Sequence, residues 1–286
     1  MSTKTLKAAL AAGEFVCAPG VHDMIAATIA NKVGFDFVYA SGYWLTASAY
    51  GIPDAGIVTY TQMVDRVATL ARVCNAGVIA DADTGFGGLL NVHHTVRGYE
   101  EAGAQAIQIE DQEFPKKCGH TPGRRVTPVE DMVHKVKVAV DARRSEDFLV
   151  IARTDARQPE GFAQAIERGQ AYAEAGADVI FVEALESEDE MREACRTIEA
   201  PMIANMATGG YSPIFSATQL KELGYKMAIF PALGSLVSAA ALEKAYSHLR
   251  ATGEATGHGA DVFDFNEFCE LIGFPDVWEF EKKWAK

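Results

Sequence analysis

The stretch PKKCGH, residues 115–120, places two lysines, a thiol and an imidazole within a few positions of one another. A thiol in such company is a tunable acid, because nearby positive charge favours its thiolate form. Proline and glycine bracket the segment, and it has almost no apolar side chain to anchor it. We therefore predict a mobile lid that brings Cys118 to a bound substrate, with an exposed basic loop and a bystander thiol as the plainer alternative.

A second set of reactive groups consists of polar residues that each follow an apolar run. They are Ser41, Asp81, Asp83, Glu110, Asp111, Arg153, Asp155, Glu183 and Asn205. Carboxylates that share a site repel one another unless a cation lies among them, and an all-oxygen set suits a hard ion such as Mg²⁺ or Mn²⁺. The segment DADTGFGG, residues 81–88, is the best candidate, because D-x-D at a strand end directs two carboxylates to one side. Taken singly, Ser41, Asp111 and Asp155 are equally well explained as helix caps or loop hydrogen bonds.

Arg153 adds a planar cation to these acids. Its guanidinium suits the carboxylate of an organic acid bound to the metal, and an ion pair with a neighbouring glutamate is the simpler alternative. A metal chelated by a 2-hydroxy or 2-oxo carboxylate makes the adjacent oxygen an electron sink, which favours breaking or making the neighbouring carbon bond. The resulting carbanion needs a proton, which the thiol of Cys118 can supply.

The elements that must position these residues follow from a repeat in the sequence. AGAQAIQIE at 102–110 and AGADVIFVE at 175–183 each join a small-residue turn with glycine to an apolar run that ends in glutamate. VGFDFVYAS at 33–41 and LGYKMAIFP at 223–231 follow the same plan less strictly. In each, we predict that the glycine ends a helix in a left-handed cap and that the run after it forms a strand buried on both faces.

Four further apolar runs bring the number of predicted strands to eight. The runs are residues 15–18, 77–80, 148–152 and 202–205. This alternation favours a (β/α)8 TIM-type barrel over an open doubly wound sheet, within one α/β domain that spans 1–286. The carboxyl ends of its strands meet at one rim, where the polar residues converge.

The C-terminal residues exceed what such a barrel needs. FNEFCELIGF and VWEFEKKWAK have the pattern of one or two amphipathic helices, so residues 258–286 are predicted to form a C-terminal helical extension. The apolar faces of these helices require a partner. Both the same barrel and another subunit satisfy that requirement.

Composition restricts the partners and the compartment. The chain has 286 residues, a formal net charge of −13 and no basic run, which argues against binding to nucleic acid or to an anionic membrane. Its five cysteines lack the spacing of a zinc site or a redox pair, which predicts reduced thiols in a cytoplasm. The apolar run near the N-terminus is too short for a signal peptide, and no later run approaches a membrane span. We expect a soluble cytoplasmic protein.

The motifs D-x-D-x-G-F-G, IEDQ and KKCGH, in that order on a predicted barrel, resemble those of the isocitrate lyase and phosphoenolpyruvate mutase superfamily. Within it, the chain is similar to the methylisocitrate and dimethylmalate lyases, from about Phe15 to about Arg250. The resemblance implies a Mg²⁺-dependent retro-aldol cleavage to a 2-oxo acid and a dicarboxylate or similar enolate. It also implies a homotetramer with a swapped C-terminal helix.

The resemblance also implies roles for individual residues. The implied metal ligand is Asp81, and the residues that act through metal-bound water are Asp83, Glu110 and Asp54. The implied substrate-binding residues are Ser41, Gly42, Tyr43 and Arg153 for the 2-oxo acid half, with Gly119, Glu183 and Asn205 for the rest. The implied base is Tyr39, and the acid is Cys118 with Lys116 and His120 in support. Lys117 is expected to be a solvated charge.

Three departures from the methylisocitrate lyase pattern bear on the substrate. Thr208 stands where those enzymes carry glutamate, and Val237 aligns with an arginine, so a third substrate carboxylate lacks partners. Tyr43 and Trp44 replace small residues, as in the dimethylmalate lyase branch. An oxaloacetate hydrolase or decarboxylase is a second hypothesis, although such hydrolases favour serine near Pro231. Phosphonopyruvate-type chemistry on a carbon–phosphorus bond is a third, and a non-catalytic binding role is a fourth.

Overall fold

The computed structural model describes residues 4–285, in which parallel strands alternate with helices. The strands are β1 Val16–Pro19, β2 Phe37–Ala40, β3 Gly77–Asp81, β4 Ala104–Glu110, β5 Leu149–Thr154, β6 Val179–Val182, β7 Ile203–Asn205 and β8 Met227–Phe230. All eight lie where the apolar runs predict them. Most of their residues are buried on both faces, as expected for parallel strands covered by helices.

Helices follow every strand, and one precedes β1. Their bounds are α1 Leu6–Ala11, α2 Met24–Val33, α3 Gly42–Tyr50, α4 Tyr60–Val73, α5 Leu89–Glu101, α6 Val129–Ala142, α7 Phe162–Glu174, α8 Glu188–Thr197, α9 Ala217–Leu223, α10 Leu233–Thr252, α11 Phe265–Leu271 and α12 Phe274–Trp284. The helix after β2 is doubled, since α3 and α4 both lie between β2 and β3. The first of these two, α3, begins directly at the site described below.

The strands close into a barrel. Five strands pair in the order β2-β3-β4-β5-β6, and three pair in the order β1-β8-β7. Single parallel bridges join the two sheets, from Gly20 to Tyr39 and from Ile180 to Met202. The predicted (β/α)8 barrel is therefore confirmed, and the carboxyl ends of its strands form one rim.

Glycine stands at each of the four repeated helix-to-strand junctions. Gly34 and Gly224 end their helices with φ of 87° and 111°, and Gly103 and Gly176 follow their helix ends with φ of 93° and 102°. Only glycine adopts such left-handed angles without a steric cost from Cβ. The predicted caps are confirmed, and they turn each chain segment directly into its strand.

Two layers of apolar side chains hold the barrel together. One layer fills the space between strands and helices, and the other fills the barrel interior. Leu6 and Ala9 of α1 belong to the interior layer, where they pack with Phe37 and Ile79. The backbone N–H of Leu6 donates to Oε1 of Gln105 near the start of β4, at 2.7 Å. Helix α1 thus closes the end of the barrel opposite the rim that carries the polar residues.

Strand register determines which side chains enter the barrel. Alternate residues of a strand point to opposite faces, so Asp81 shares the interior face with Ile79, and Arg153 shares it with Ile151. Glu110 follows Ala106 at an even spacing along β4, so it also points to the interior face. The apolar interior therefore ends, at the carboxyl rim, in a layer of charged side chains.

A second compact unit spans Gly234–Lys286, and the first spans Met1–Leu233. The predicted extension, 258–286, lies inside this second unit, and its two predicted amphipathic helices are present as α11 and α12. Large apolar side chains are exposed on these helices and on α10, including Leu249, Trp278 and Phe280. Among the described residues, no helix is both long and apolar enough to span a bilayer.

Candidate active site

Asp81, the last residue of β3, organises the carboxyl rim. Its carboxylate accepts hydrogen bonds from the backbone N–H groups of Gly42 and Asp83, at 3.1 and 3.0 Å, and from Nε2 of Gln108 at 3.4 Å. Gly42 is the first residue of α3, and a Cβ at this position would lie 3.0 Å from Oδ2 of Asp81. Glycine therefore allows the positive end of a helix to approach this carboxylate closely.

Asp83 turns back toward Asp81 in a left-handed conformation with φ of 49°. Aspartate tolerates this region better than most residues. Its Oδ1 lies 2.5 Å from Nζ of Lys116, which also contacts Oδ1 of Asp54 at 2.6 Å. Burial raises the pKa of Asp83 to about 7, with help from the charges of Asp81 and Asp54 and against that of Lys116. A second cation at this point would stabilise the ionised carboxylates.

Glu110, the last residue of β4, is buried beside Asp81 and Arg153. Burial raises the pKa of Glu110 well above its ordinary value, although Arg153 opposes the effect. One of its oxygens, Oε1, is buried without a hydrogen-bond partner among the described residues. An unsatisfied carboxylate oxygen in a low-dielectric site is costly, and a bound cation or its water ligands would satisfy it.

The donor set fits a hard divalent cation. Carboxylate oxygens come from the ends of two neighbouring strands, on Asp81, Asp83 and Glu110. Such oxygens are the ligands that Mg²⁺ and Mn²⁺ prefer. Within residues 4–285, no three His, Cys, Asp or Glu side chains already converge as a complete site. Mg²⁺ usually retains several water molecules, so few direct protein ligands are needed.

Arg153 of β5 lies opposite Glu110 in the strand register. Its guanidinium forms a bidentate pair with Asp155 at 2.9 Å for both contacts, and its Nη2 lies 3.2 Å from Oε2 of Glu183. The ion pair with a neighbouring glutamate, raised as the simpler alternative, is present. These acids hold the guanidinium fully charged and fixed at the rim, where it can bind a carboxylate.

The segment 115–120 lies over this rim. Lys116 is buried, since it is only 2% exposed, whereas Lys117 is exposed as expected for a solvated charge. Burial raises the pKa of the Cys118 thiol, although a hydrogen bond from the backbone of His120 and the charge of Arg153 oppose the effect. This direction is opposite to the one expected from the sequence, because burial outweighs the favourable charge of Arg153 and the hydrogen bond. The thiol therefore keeps its proton, as an acid catalyst must.

His120 connects this segment to β6 and β7. Its Nε2 lies 3.3 Å from Nδ2 of Asn205 and 3.5 Å from Oε1 of Glu183. The backbone N–H of Tyr211 approaches Nδ1 of His120 at 3.4 Å. Asn205 in turn donates to Oε2 of Glu183 at 3.0 Å. Three predicted site residues thus share one hydrogen-bonded group.

Gly119 packs directly against the rim. A Cβ at this position would lie 2.1 Å from Nη2 of Arg153 and 2.9 Å from Cγ of Glu183. Distances below 3 Å are not compatible with real contacts, so any side chain would displace either the loop or the arginine. Gly119 therefore lies against Arg153 and Glu183, and its contact with a substrate stays a prediction.

Tyr39 is linked to the acid cluster through a residue that the sequence did not single out. Its hydroxyl donates to Oε1 of Gln108 at 2.8 Å, and Gln108 contacts Asp81. Burial raises the pKa of Tyr39 well above its ordinary value, and the charge of Asp81 adds to the effect. The hydroxyl is therefore held in its protonated form, and the role of Tyr39 as a base stays a prediction.

The structure brings most of the predicted residues together and assigns others to the scaffold. Asp111 points away from Glu110 and binds Arg168 and Tyr172 of α7, at 3.3 and 2.7 Å. Asp111 follows the last residue of β4, so its side chain alternates with that of Glu110 and points away from the barrel interior. Its hydrogen bonds join the end of β4 to α7. Ser41 precedes α3 as its N-cap residue, without a side-chain capping bond.

Two buried polar residues of the rim, Gln108 and Arg124, are absent from the sequence-based set. Gln108 lies opposite Asp81 in the register and carries the bond from Tyr39. The sequence indicates this residue, because a glutamine interrupts the apolar run of β4 two residues before Glu110. Arg124 is buried and contacts Asp155 at 3.1 Å. Its surroundings in the sequence, GRRVTP, give no indication of burial.

These features define a class of protein. The carboxyl rim of this (β/α)8 barrel carries buried acids, a fixed arginine and a thiol-bearing loop. These are the features of a barrel enzyme. The family model for phosphoenolpyruvate phosphomutase matches residues 6–250. The chain therefore belongs to this family, within the PEP mutase/isocitrate lyase superfamily.

Curated relatives of this chain include two kinds of lyase at equal identity. The chain is 44% identical to 2,3-dimethylmalate lyase of Eubacterium barkeri over 96% of each chain. It is also 44% identical to 2-methylisocitrate lyase of Aeropyrum pernix, over 96% of this chain and 87% of the relative. Both relatives are lyases by name.

Solved structures share the whole fold. A crystal structure of 2,3-dimethylmalate lyase is 32% identical, with a TM-score of 0.90 over 98% of this chain and 93% of that one. Oxaloacetate acetylhydrolase with 3,3-difluorooxalacetate is 31% identical, with a TM-score of 0.89 over 95% and 92%. Phosphonopyruvate hydrolase with oxalate and Mg²⁺ is 31% identical, with a TM-score of 0.88 over 98% of each chain.

Proposed function

We propose that this enzyme is a carbon–carbon lyase that cleaves a 2-hydroxy dicarboxylate of the alkylmalate type into a 2-oxo acid and a second carboxylate. One observation carries the proposal. The acid cluster around Asp81, the guanidinium of Arg153 and the thiol segment around Cys118 all lie at one end of the barrel. A retro-aldol cleavage needs a cation beside the 2-hydroxyl oxygen, a carboxylate anchor and a proton donor for the carbanion. It also needs a base that takes the 2-hydroxyl proton, which is the role predicted for Tyr39.

The 2-oxo acid half is bound by positive groups in this proposal. The guanidinium of Arg153 carries the positive charge, and because its Nε and Nη2 bind Asp155, its Nη1 is the nitrogen that can donate to a substrate carboxylate. The N–H of Gly42 donates to Asp81, so the N-terminus of α3 contributes its partial positive charge. Tyr43, the next residue of α3, is 38% exposed. The positive charge of Arg153 and of the helix N-terminus favours a carboxylate over a neutral group.

The cofactor we propose is Mg²⁺, with Mn²⁺ as a substitute. Asp81 would hold it directly, and Asp83, Glu110 and Asp54 would hold its water ligands. The solved relative that contains Mg²⁺ also contains oxalate, a small dianion of the expected kind. When bound, the ion would favour loss of the proton from the 2-hydroxyl group next to the bond that breaks.

Cys118 supplies the proton in the second half of the reaction. Its raised pKa keeps the thiol protonated at neutral pH until the carbanion of the departing carboxylate accepts the proton. Lys116 and His120 hold the segment on both sides of the thiol, through Asp83 and Asn205 respectively. The closed segment also excludes water, which would otherwise compete for the carbanion.

Substrates with two carboxylates are expected to be cleaved faster than those with three. Thr208 is exposed and uncharged, so it offers no ionic partner to a third carboxylate. An ionic partner at an exposed position contributes up to about 1 kcal/mol, which corresponds to roughly fivefold in kcat/KM. The measurement is a panel of alkylmalates and 2-methylisocitrate with Mg²⁺, with product identification by mass spectrometry.

The panel needs a chelator control and a variant. EDTA should abolish cleavage of every substrate, and Thr208→Glu should change the ratio between the two substrate classes rather than the rate for all substrates. If 2-methylisocitrate has the highest kcat/KM, the interpretation of Thr208 and Val237 is wrong. If no substrate of the panel is cleaved at a carbon–carbon bond, the proposed lyase activity is refuted.

Hydrolysis of oxaloacetate is the second candidate, because the solved oxaloacetate acetylhydrolase matches almost the whole chain. A hydrolase must admit one water molecule to the carbonyl, whereas a lyase must exclude it. Adding oxaloacetate and phosphonopyruvate to the panel separates these activities, since the products are oxalate with acetate and pyruvate with phosphate respectively.

We also propose that the chain assembles as a homotetramer in the cytoplasm, with C-terminal helices exchanged between subunits. No side chain of α12 is buried, and Phe280 and Trp278 are 65% and 47% exposed. Apolar surface of this extent calls for a protein partner.

Light scattering should give about four times the chain mass, and Phe280→Asp should lower the measured mass. The control Leu90→Asp, at a site that is 71% exposed on α5, should leave the mass unchanged. A monomeric wild type at micromolar concentration contradicts the proposal.

A further inference from the structure

Arg124 lies at the end of the Cys118 segment with its side chain almost fully buried, at 1% exposure. Its Nη1 donates to the backbone carbonyl of Gly119 and to Oδ1 of Asp155, and its Nη2 donates to Oε1 of Gln158. A buried guanidinium requires several partners to offset its lost hydration. Here one of those partners belongs to the segment that carries the thiol.

Asp155 is shared between two arginines. Its carboxylate accepts two hydrogen bonds from Arg153 and one from Arg124. Its backbone N–H donates to Oδ1 of Asp111 at 2.9 Å, which fixes the peptide from the other side. Asp155 therefore cannot shift without moving Arg153, and Arg124 is bound to the same carboxylate.

The backbone around Cys118 is held at two consecutive carbonyl groups. The carbonyl of Cys118 accepts from the N–H and the hydroxyl of Thr121, at 3.0 and 2.8 Å. The carbonyl of Gly119 accepts from Arg124. The two bonds from Thr121 to the Cys118 carbonyl are local to the turn, so they fix the shape of the segment but not its position. Arg124 supplies a connection from this turn to strand β5.

We propose that Arg124 is a positioning residue, which fixes the thiol of Cys118 relative to the guanidinium of Arg153 through the Gly119 carbonyl and the Asp155 carboxylate. The inference rests on the proposed function, in which Arg153 binds the substrate and Cys118 protonates it. Lysine has one nitrogen and cannot reproduce the planar fork that reaches three acceptors. The identity of residue 124 therefore determines the distance between the substrate anchor and the proton donor.

Arg124→Ala should lower kcat by about 10- to 100-fold with a smaller change in KM, since a displacement near 1 Å of a reacting group has an effect of this size. Arg124→Lys keeps the charge beside Asp155 and should recover part of the loss. Alkylation of Cys118 by iodoacetamide, followed by peptide mapping, should be faster in Arg124→Ala than in wild type, because the Gly119 carbonyl has lost its anchor.

Arg157→Ala is the matched control. This nearby arginine pairs with Glu186 and Glu190 instead of with the Cys118 segment. Its removal should leave kcat and the alkylation rate unchanged. Wild-type alkylation in both Arg124 variants would overturn the proposal, even if kcat had fallen. Alkylation does not depend on turnover, so absence of lyase activity in the wild type would refute the proposed function and leave this measurement valid. If Arg124→Ala does not fold, the rate of Cys118 alkylation in Arg124→Lys alone decides the outcome.

Discussion

Asp81→Ala is expected to abolish turnover and the stabilisation of the protein by Mg²⁺. Asp81 is the carboxylate nearest to the N-terminus of α3 and lies between Asp83 and Gln108. Its loss removes the direct ligand proposed for the metal, so binding of the ion should no longer raise the melting temperature. Thermal unfolding at increasing Mg²⁺ concentration, with chelator as the zero point, measures this effect without requiring a substrate.

The alanine variant also removes acceptors from two backbone N–H groups, which costs about 1–3 kcal/mol for each buried donor left unpaired. Asp81→Asn preserves one acceptor oxygen and the shape of the side chain, so it separates metal loss from loss of stability. Glu113→Ala, at a partly exposed acid paired with Arg125, is the control outside the cluster. If Mg²⁺ raises the melting temperature of Asp81→Asn as much as that of wild type, Asp81 is not the metal ligand.

Cys118→Ser is expected to lower kcat by about 10² to 10⁴, the usual effect of losing a general acid. A serine hydroxyl has nearly the same shape but a much higher pKa, so it donates a proton poorly. Affinity for Mg²⁺ and for oxalate should change little, because Asp81 and Arg153, the proposed metal ligand and carboxylate anchor, are unchanged. Steady-state kinetics with the best substrate of the panel gives the loss in kcat.

Cys17→Ser provides the comparison, since Cys17 is a partly buried thiol on β1. Its replacement should leave kcat unchanged. In the wild type, oxalate and Mg²⁺ together should slow alkylation of Cys118 if the segment closes over the bound dianion. Near-normal kcat in Cys118→Ser, with the chemical step shown to limit the rate, removes this thiol from the mechanism.

The scaffold of this site could be predicted because its signals are local. Each strand is an apolar run, and glycines such as Gly34 and Gly176 mark the preceding helix ends, so the eight strands follow from short windows of sequence. Positions at strand ends then identify Asp81, Glu110 and Arg153, because a barrel brings those ends together. No pairing between distant residues is needed for these steps.

The contacts among charged side chains could not be predicted, because they depend on which neighbours lie across the barrel. Lys116 was expected to support Cys118, and the structure pairs it with Asp54 and Asp83. Burial of Cys118, which the sequence does not show, determines the direction of its pKa change. Arg124 is the clearest case, since its burial depends on Asp155, which lies 31 residues along the chain.

The register of the barrel has a consequence for synthesis of the chain. β1 forms its full ladder with β8, from Val16 opposite Met227 to Pro19 opposite Phe230, and residues 20–226 lie between them. At about 5 to 20 residues per second, a ribosome needs roughly 10 to 40 s to make that interval. During this time β1 lacks its main partner, and the apolar edge of the sheet is open to other nascent chains. The acid cluster at the ends of β3 and β4 is complete in sequence long before the barrel can close around it.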